Sequence, residues 1–389
     1  MKILYHHRTL GDGAEGIHVS AMVQAFRDLD HAVQVSALIG GATNVSTTRT
    51  RVLTRLRRAV PNVAYETMEL GYSFVGRRSL IRAITGWRPD LIYERYTLFN
   101  YAGVLAAARA GLPIVLEVNA PLAHERAVYE RLTLKRLAKR SEREICSRAD
   151  LVVAVSTPLK QYLVHEGVPA DRIIVVPNGA DPSVFKPDEK ARLEVRRRHH
   201  IPPEAIIIGF TGILRPWHGV DMLVRALALL AQRPPAAPCY LLIVGDGPSR
   251  PEIERIAVDS GVRQRVVVTG RVPHDQIPAY VAAFDVAVSP RATFYASPMK
   301  VPEYMAAGTA VVAPDMPNLT DLITDGVNGT LFAAESVDAL AGALHSLMSD
   351  ARRRQNLSCA ARASILNRRT WRHNAAAVLR TLAEVRACA

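Results

Sequence analysis

The chain has 389 residues, 49% of them hydrophobic, and a formal net charge of +13 at pH 7. This length accommodates two domains with sizeable apolar cores. No zinc-finger spacing, aromatic RNA-binding motif or basic tail accompanies the positive charge, so we expect no nucleic-acid partner. No apolar run reaches the roughly 18 residues that a transmembrane helix requires, so the sequence predicts a soluble chain that is at most peripheral to a membrane.

Four cysteines, Cys146, Cys239, Cys359 and Cys388, lie far apart in the chain and form no C-x-x-C pair. Such spacing is typical of free, reduced thiols in a cytoplasmic protein. The first residues have the pattern of a strand rather than that of a signal peptide. We therefore predict a cytoplasmic location, with peripheral contact at the inner membrane face as an extension of it.

Short apolar segments, each typical of a parallel strand, alternate with amphipathic helices through the first half of the chain. The predicted strands are 3–5, 33–38, 91–93, 114–117, 151–155 and 173–176. Helical periodicity between them is clearest at 17–29 and 101–110. This alternation predicts a Rossmann-like, doubly wound α/β domain, to which we assign residues 1–185.

The first loop has the sequence G-x-G-x-x-G at residues 11–16, between a predicted strand and a predicted helix. A dinucleotide site would also need an acidic residue at the end of the second strand, but that strand ends in Gly40 and Gly41. The sequence therefore disfavours NAD or FAD. It retains a glycine loop, with Gly13 and Gly16, whose N–H groups can approach an anion.

Turn residues and prolines interrupt the alternation, and we place a linker at 180–203. A second alternating set then predicts strands at 205–210, 240–244, 265–268, 286–289, 310–313 and 330–332. We assign 200–370 to a second Rossmann-like domain and 371–389 to a C-terminal helix. Ligands bind beyond the carboxyl ends of such strands, so we predict two domains that face each other across a ligand-binding cleft.

The loop after the first strand of the second domain contains Gly212, Arg215 and His218. A guanidinium at this edge can hold a diphosphate through two parallel hydrogen bonds. His218 can donate a further bond or take up a proton near a phosphate. The next strand ends in a turn with Gly245 and Gly247, which either admit a close backbone approach or only turn the chain.

Residues 295–312 predict a loop, a short helix, a glycine stop and a buried strand. We expect Ser297 as the N-cap and Pro298 as the first helical residue. Lys300 places a cation in the first turn, where it opposes the helix dipole unless an anion binds beside it. Glu303 can accept hydrogen bonds from a sugar hydroxyl. The alternative is a capped helix that only packs on the sheet.

No carboxylate or histidine cluster has metal-ligand spacing, so we predict no metal site. Asp28 and Asp30 form a D-x-D at the end of a helix, where surface capping is favoured. A basic stretch at 49–58 and a long basic helix predicted at 125–148 can lie on anionic lipid, with a solvated face as the alternative.

Five short motifs occur along the chain: V-S at 155–156, P-N-G-A-D at 177–181, G-D-G-P at 245–248, G-R-V at 270–272 and P-E-Y-M-A-A-G-T-A-V-V-A at 302–313. In their order and spacing they resemble the motifs of glycosyltransferase family 4 (GT4), whose members have the GT-B fold. The likeness extends from residue 1 to about 385. It implies retaining, metal-independent transfer from a nucleotide-sugar, and a last helix that crosses back to the first domain.

The resemblance also assigns roles to single residues. It implies that Glu303 binds the nucleotide ribose and that the backbone at Met299 and Lys300 caps the diphosphate. The Gly13 to Gly16 loop would approach the donor from the first domain. A nucleobase would be read by backbone groups near Val272, which follows the third strand of the second domain.

The chain departs from the family pattern at three places. Tyr295, eight residues before Glu303, occupies the position of a glutamate that contacts the donor sugar. The usual Arg and Lys pair falls at Ile213 and His218, so Arg215 is the candidate replacement for the missing arginine. Asn119 occupies the position of a histidine after the fourth strand, where it can only orient a hydroxyl.

These features predict a hexosyltransferase that uses a UDP- or GDP-sugar as co-substrate and needs no separate cofactor. The acceptor would be a sugar, a lipid-linked sugar or a small hydroxyl compound, in polysaccharide or glycoconjugate synthesis. A sugar-nucleotide hydrolase or epimerase on the same scaffold, and a non-catalytic partner in glycan assembly, remain as alternatives.

Overall fold

The computed structural model describes residues 1–9, 13–37, 60–232 and 238–387. The predictions for Gly11, Asp12, Gly40, Gly41, the basic stretch 49–58 and Cys388 lie outside these residues. The chain forms two compact units: Met1–Pro177 together with Trp371–Ala389, and Asn178–Thr370. In the described part, Cys146, Cys239 and Cys359 are free, and no helix is both long and apolar enough to cross a membrane.

The first unit contains a six-stranded parallel sheet with the strand order β2-β1-β3-β4-β5-β6. Its strands are β1 (Lys2–His7), β2 (Ala32–Ala37), β3 (Leu91–Arg95), β4 (Ile114–Val118), β5 (Leu151–Ala154) and β6 (Ile173–Val175). Described helices between them are α1 (Gly13–Arg27), α2 (Asn62–Trp87), α3 (Ala102–Ala110), α4 (Leu122–Tyr129), α5 (Lys135–Arg148) and α6 (Thr157–His165). The direction of strand addition reverses between β1 and β3, which is where doubly wound sheets bind ligands.

The basic helix predicted at 125–148 is in fact two helices, α4 and α5, separated by five residues. The break is stabilised by Glu66, whose buried carboxylate accepts hydrogen bonds from the backbone N–H groups of Thr133 and Leu134 at 2.8 and 2.7 Å. A carboxylate that satisfies N–H groups at a helix start stabilises that start. The prediction of one continuous helix was wrong because its cap comes from α2, far away in the sequence.

The second unit contains another six-stranded parallel sheet, with the order β12-β11-β10-β7-β8-β9. Its strands are β7 (Ile206–Thr211), β8 (Cys239–Val244), β9 (Val266–Val268), β10 (Val286–Val288), β11 (Ala310–Pro314) and β12 (Thr330–Phe332). Its helices are α7 (Glu189–Arg198), α8 (Val220–Gln232), α9 (Arg250–Asp259), α10 (Ile277–Ala282), α11 (Lys300–Ala306), α12 (Pro317–Thr320), α13 (Val337–Ser349) and α14 (Ala351–Arg368). The reversal point of this sheet lies between β7 and β10.

Successive residues of β7 face opposite sides of the second sheet. Ile208 and Phe210 pack into a cluster with α8 and α13, whereas Ile207 packs into a cluster with α11 and α14. Both faces of the sheet are therefore covered, as a continuous apolar strand requires. The predicted α/β class, with two doubly wound domains, is confirmed.

The segment predicted as a linker belongs to the second unit and contains α7. Arg196 of α7 is 3% exposed, and its guanidinium donates to Asp285 Oδ2 at 2.8 Å and to the Ala205 carbonyl at 2.8 Å. Arg192, one turn earlier, reaches the other oxygen of Asp285 at 2.9 Å. These partly buried ion pairs fix the segment to the sheet, a contact that the prolines of the segment do not indicate.

The last helix, α15 (Trp371–Ala387), belongs to the first unit and packs on α1. The ring of Trp371 lies edge-on to His18 with ring centroids 4.9 Å apart. Asn374 Nδ2 donates to the Pro177 carbonyl at 2.8 Å. The sequence alone predicts residues 371–389 as a C-terminal helix separate from the two domains.

Candidate active site

Two loops flank the reversal point of the second sheet. One follows β7 and carries Gly212, Arg215 and His218; the other follows β10 and leads into α11 with Lys300 and Glu303. Both begin at the carboxyl edge of neighbouring strands, where parallel sheets bind ligands. The structure therefore brings these five predicted residues to one edge of one unit.

Lys300 lies at the start of α11, with its Nζ 4.2 Å from the centroid of the Phe210 ring. The missing side chain of Gly212 makes room for it, because a Cβ there would lie 3.2 Å from Nζ. Burial lowers the pKa of Lys300 to about 8, although Glu303 acts in the opposite direction. Burial likewise raises the pKa of Glu303 to about 8, against the effect of Lys300. A partly buried ammonium whose neighbouring carboxylate is mostly protonated near pH 7 is suited to an anionic ligand.

His218 is held by its own loop. Its Nδ1 donates to the Ile213 carbonyl, so the neutral ring leaves Nε2 as an acceptor. Burial, followed by the charge of Lys300, lowers the pKa of His218 to about 4. The predicted donation from His218 to a phosphate therefore requires that the ring first takes up a proton.

Arg215 is exposed at the same loop, with its Cζ 4.9 Å from the centroid of the Trp217 ring. Stacking on an indole restrains the guanidinium and leaves its N–H groups free to point outward. Since Trp217 is itself 37% exposed, this pair lies at the surface of the loop.

The glycine turn after β8 supports the Arg215 loop directly. Leu214 N donates to the Asp246 carbonyl at 3.0 Å, and Ser249 N donates to the Leu214 carbonyl at 3.0 Å. A Cβ on Gly247 would lie 2.7 Å from Leu214 N, and one on Gly245 would overlap the Gly212 carbonyl. Of the two interpretations of these glycines, the structure favours a close backbone approach.

Ser297 is not the N-cap of α11, which starts three residues later without a side-chain cap. Its hydroxyl instead accepts a hydrogen bond from Asn178 N at 2.9 Å, and Asn178 Nδ2 donates to the Ser297 carbonyl at 2.6 Å. The prediction was wrong because the partner of Ser297 is 119 residues away. The P-N-G turn thus anchors the loop that precedes Lys300.

Three other predicted donor-site residues have distinct surroundings. Tyr295 is 6% exposed and lies edge-on to Phe294 at 5.1 Å, so its ring is packed into the loop. Val272 is half-buried against the apolar cluster beneath α11. Met299 directly precedes α11, and its carbonyl accepts from Glu303 N at 3.2 Å.

The remaining predicted residues belong to the first unit. Asn119 Nδ2 donates to Glu117 Oε1 at 2.5 Å, so its Oδ1 faces away as an acceptor. Glu117 is 2% exposed and also accepts from Tyr93 at 2.6 Å and Arg95 at 3.0 Å. Burial opposes ionisation of Glu117, but these donors and His18 hold its pKa below the ordinary value. Asn119 is therefore fixed in one orientation by an ionised carboxylate.

Gly13 and Gly16 lie in the first turn of α1 rather than in a loop. Gly13 has a φ of +71°, which a side chain would disfavour, and Gly16 is buried.

The described residues contain no group of three histidines, cysteines or carboxylates that could hold a metal. Asp28 Oδ1 accepts a hydrogen bond from Gln24 Nε2 at 2.8 Å, an exposed side-chain contact between residues one helical turn apart.

Two family profiles match successive parts of the chain. The one described as Glycosyltransferase Family 4 matches residues 15–184, and the one described as Glycosyl transferases group 1 matches 205–350. A D-inositol 3-phosphate glycosyltransferase from Xylanimonas cellulosilytica is 31% identical over 310 residues, which cover 77% of this chain and 72% of that protein. The chain is a family 4 glycosyltransferase.

Other comparisons agree with this family. A GDP-mannose-dependent alpha-mannosyltransferase from Mycobacterium tuberculosis is 32% identical to this chain over 300 residues, which cover 75% of this chain and 72% of that protein. The Anabaena protein HepE, solved with UDP and glucose, superposes with a TM-score of 0.74 at 21% identity, covering 99% and 100% of the two chains. Sucrose-phosphate synthase from Thermosynechococcus elongatus superposes at 0.75 with 17% identity over both full chains. These likenesses show the GT-B fold.

Sequence reasoning missed several residues that contact the predicted site residues within each unit. Phe210, whose ring contacts Lys300, is predicted from sequence only as a residue of a strand. Glu117, which accepts a hydrogen bond from Asn119, is predicted only as a charged residue at the end of a buried strand. An acidic residue in an otherwise apolar strand was the available signal for Glu117. The position of Asn178 within a turn motif gave no indication of its bonds to Ser297.

Proposed function

We propose that the glycosyltransferase transfers a hexosyl group from a UDP- or GDP-sugar to a hydroxyl acceptor with retention of configuration. The proposal includes independence of metal and a cytoplasmic role in polysaccharide or glycoconjugate synthesis. Retention and metal independence rest on the resemblance to the family. The name of the Mycobacterium tuberculosis relative, which specifies GDP-mannose, supports a nucleotide-sugar donor.

The observation that carries the donor assignment is the Lys300 ammonium at the reversal point of the second sheet. It is partly buried, it lies on the Phe210 ring, and the carboxylate nearest in sequence, Glu303, has a pKa that burial raises to about 8. A diphosphate would supply the missing negative charge. Arg215 would add a paired contact, and the backbone N–H groups of Met299 and Lys300 would approach the same phosphate.

In the proposed mechanism, these groups stabilise the charge that develops on the leaving diphosphate. The acceptor hydroxyl attacks from the face of the leaving group, and a phosphate oxygen takes its proton. His218 begins as a neutral ring, and the arriving diphosphate raises its proton affinity so that Nε2 becomes a donor. Glu303 accepts from the ribose hydroxyls, and Asn119 orients a hydroxyl through its Oδ1.

The test compares Arg215→Ala and Glu303→Ala with Arg225→Ala, an exposed arginine on α8 in the same unit. Loss of one contact to developing charge lowers turnover by roughly 10²–10³-fold, which we expect for Arg215→Ala. Glu303→Ala should raise the KM for the nucleotide-sugar, and Arg225→Ala should change neither constant. If turnover and nucleotide affinity are unchanged in both site variants, the assignment of Arg215 and Glu303 to the donor site is wrong.

Product analysis separates transfer from the alternative chemistries. Free sugar or an epimer formed at the full rate without acceptor would indicate a hydrolase or epimerase. The anomeric configuration of the product tests retention. A panel of UDP-, GDP- and ADP-sugars in thermal shift experiments would identify the base.

A further inference from the structure

Arg8 follows β1 directly, at the carboxyl edge of the first sheet. β1 pairs with β3 in parallel, with His6 opposite Glu94, so Arg8 lies at the point where strand addition reverses. In doubly wound sheets this crevice is where ligands bind. The position is therefore the counterpart, in the first unit, of the loops that carry the proposed donor site.

The guanidinium of Arg8 is restrained but incompletely paired. Its Cζ lies 4.5 Å from the centroid of the Tyr72 ring of α2. Its Nη1 is buried, and among the described residues it has no hydrogen-bond partner. A buried guanidinium N–H group that has no hydrogen-bond acceptor is unfavourable, so a bound ligand that supplies a hydrogen-bond acceptor would stabilise it.

The carboxylates around this edge have other partners. Glu117 is paired with Arg95 at 3.0 Å, and Glu69, one turn before Tyr72, is paired with an arginine of α4 at 2.8 Å. Glu94 is 1% exposed, and burial raises its pKa to about 8, so it is predominantly neutral near pH 7. In the described part of this edge, no carboxylate forms an ion pair with Arg8.

The histidines beside Arg8 do not change this balance. His6 Nδ1 donates to the Ser36 carbonyl at 2.9 Å, and burial lowers its pKa to about 4. His7 is 5% exposed, with Thr9 N at 3.3 Å from its Nδ1, and burial again lowers its pKa. Both rings are neutral near pH 7, so the positive charge at the end of β1 comes from Arg8.

We propose that Arg8, seated on the Tyr72 ring, binds an anionic group of the acceptor, a phosphate monoester or a carboxylate. The inference rests on the proposed function for the identity of the ligand as acceptor, and it adds the chemical class of that acceptor. A planar guanidinium matches two oxygens of either group, and the aromatic ring beneath it fixes the direction of its N–H groups. A hydroxyl oxygen of an uncharged acceptor substrate could accept one hydrogen bond from Nη1, but it would supply neither the negative charge nor the second oxygen of a paired contact.

The test measures binding to the full chain by calorimetry. The probes are inorganic phosphate, D-inositol 3-phosphate against inositol, glucose 6-phosphate against glucose, and glucuronate against glucose. A charge-assisted pair changes affinity by roughly 10- to 100-fold, and we expect that preference for at least one charged member. Arg8→Met should remove the preference for the charged probes. Arg8→Lys should keep part of that preference, because lysine keeps the positive charge but lacks the two parallel N–H donors of a guanidinium.

Arg78→Met is the matched control, because Arg78 is an exposed arginine on α2. It should leave every affinity unchanged. The proposal is overturned if the wild type binds each charged probe no better than its neutral parent, or if Arg8→Met keeps the preference. If thermal unfolding shows that Arg8→Met does not fold, the variants Arg8→Lys and Tyr72→Leu replace it. The proposal is also overturned if both of these variants keep the full preference for the charged probes.

Separate titrations with UDP and GDP distinguish this proposal from the donor assignment. We expect Arg8 variants to bind both nucleotides as the wild type does. Loss of charged-probe binding with intact nucleotide binding supports an acceptor site. If neither nucleotide binds while Arg8 still selects charged probes, the donor proposal fails and the anion site at Arg8 stands.

Discussion

At the scale of single residues, Lys300 and Glu303 give the proposed donor site a specific pH dependence. Burial lowers the pKa of Lys300 to about 8, so its positive charge is lost as the pH rises through that value. Binding of a diphosphate favours the charged form. We therefore predict that the Kd for GDP or UDP increases above about pH 8, by up to tenfold per pH unit while one proton is taken up on binding.

The control variants separate the two titrating groups. Lys300→Met should bind weakly and lose most of this alkaline decline, whereas Lys300→Arg keeps its charge at pH 9, so any decline that it retains belongs to Glu303. Glu303→Gln removes the second group, so the decline that remains belongs to Lys300. A decline that is identical in Lys300→Met would assign the pH dependence to some other group.

Candidate residues can be selected from sequence where one local motif suggests their chemistry, but their contacts cannot be predicted where the partner is distant in the chain. Lys300 and Glu303 could be selected from sequence because they lie in the first turn of a short helix. The bonds of Ser297 to Asn178 could not, because they depend on which segments the folded sheet brings together. For the same reason, the pairing of Glu117 with Asn119 and Arg95 emerged only in the structure.

At the scale of elements, the glycine turn after β8 determines where the Arg215 loop lies. A Cβ on Gly247 would lie 2.7 Å from Leu214 N and closer still to its carbonyl oxygen. We predict that Gly247→Ala destabilises the unit by roughly 1–3 kcal/mol, as overpacking does, and weakens nucleotide binding because the loop must shift. Thermal unfolding and calorimetry measure the two effects.

Gly342→Ala is a matched control for that prediction. Gly342 lies in α13, is exposed, and a Cβ there would contact nothing within 4 Å. Alanine in a helix interior is favoured over glycine by roughly 0.5–1 kcal/mol, so this variant should be slightly more stable and bind nucleotide normally. Equal effects of the two substitutions would contradict the steric role of Gly247.

The order and type of the elements were largely predictable, because buried parallel strands are short apolar runs between amphipathic helices. The errors lie where tertiary contacts override local pattern. Glu66 divides the predicted helix at 125–148, and Asp285 holds the predicted linker to the second sheet. Neither carboxylate has a sequence signature that reveals its partner.

At the scale of the whole molecule, the net charge of +13 has a candidate use at α5. Arg136 and Arg143 lie on one exposed stripe of this helix and, among the described residues, form no salt bridge. Arg140, between them, is paired with Glu144 at 2.8 Å. Unpaired exposed cations on one helix face are the part of a basic surface that anionic lipid can bind.

We predict that the double variant Arg136→Glu with Arg143→Glu binds anionic vesicles at least tenfold more weakly, since each basic residue near such a surface contributes about 1 kcal/mol. The measurement is co-sedimentation with phosphatidylcholine vesicles that contain phosphatidylglycerol. Arg225→Glu with Arg255→Glu makes the same change in net charge on exposed helix positions of the second unit. If both double variants lose binding equally, attraction follows total charge alone; if only the first does, α5 is the surface that meets the lipid.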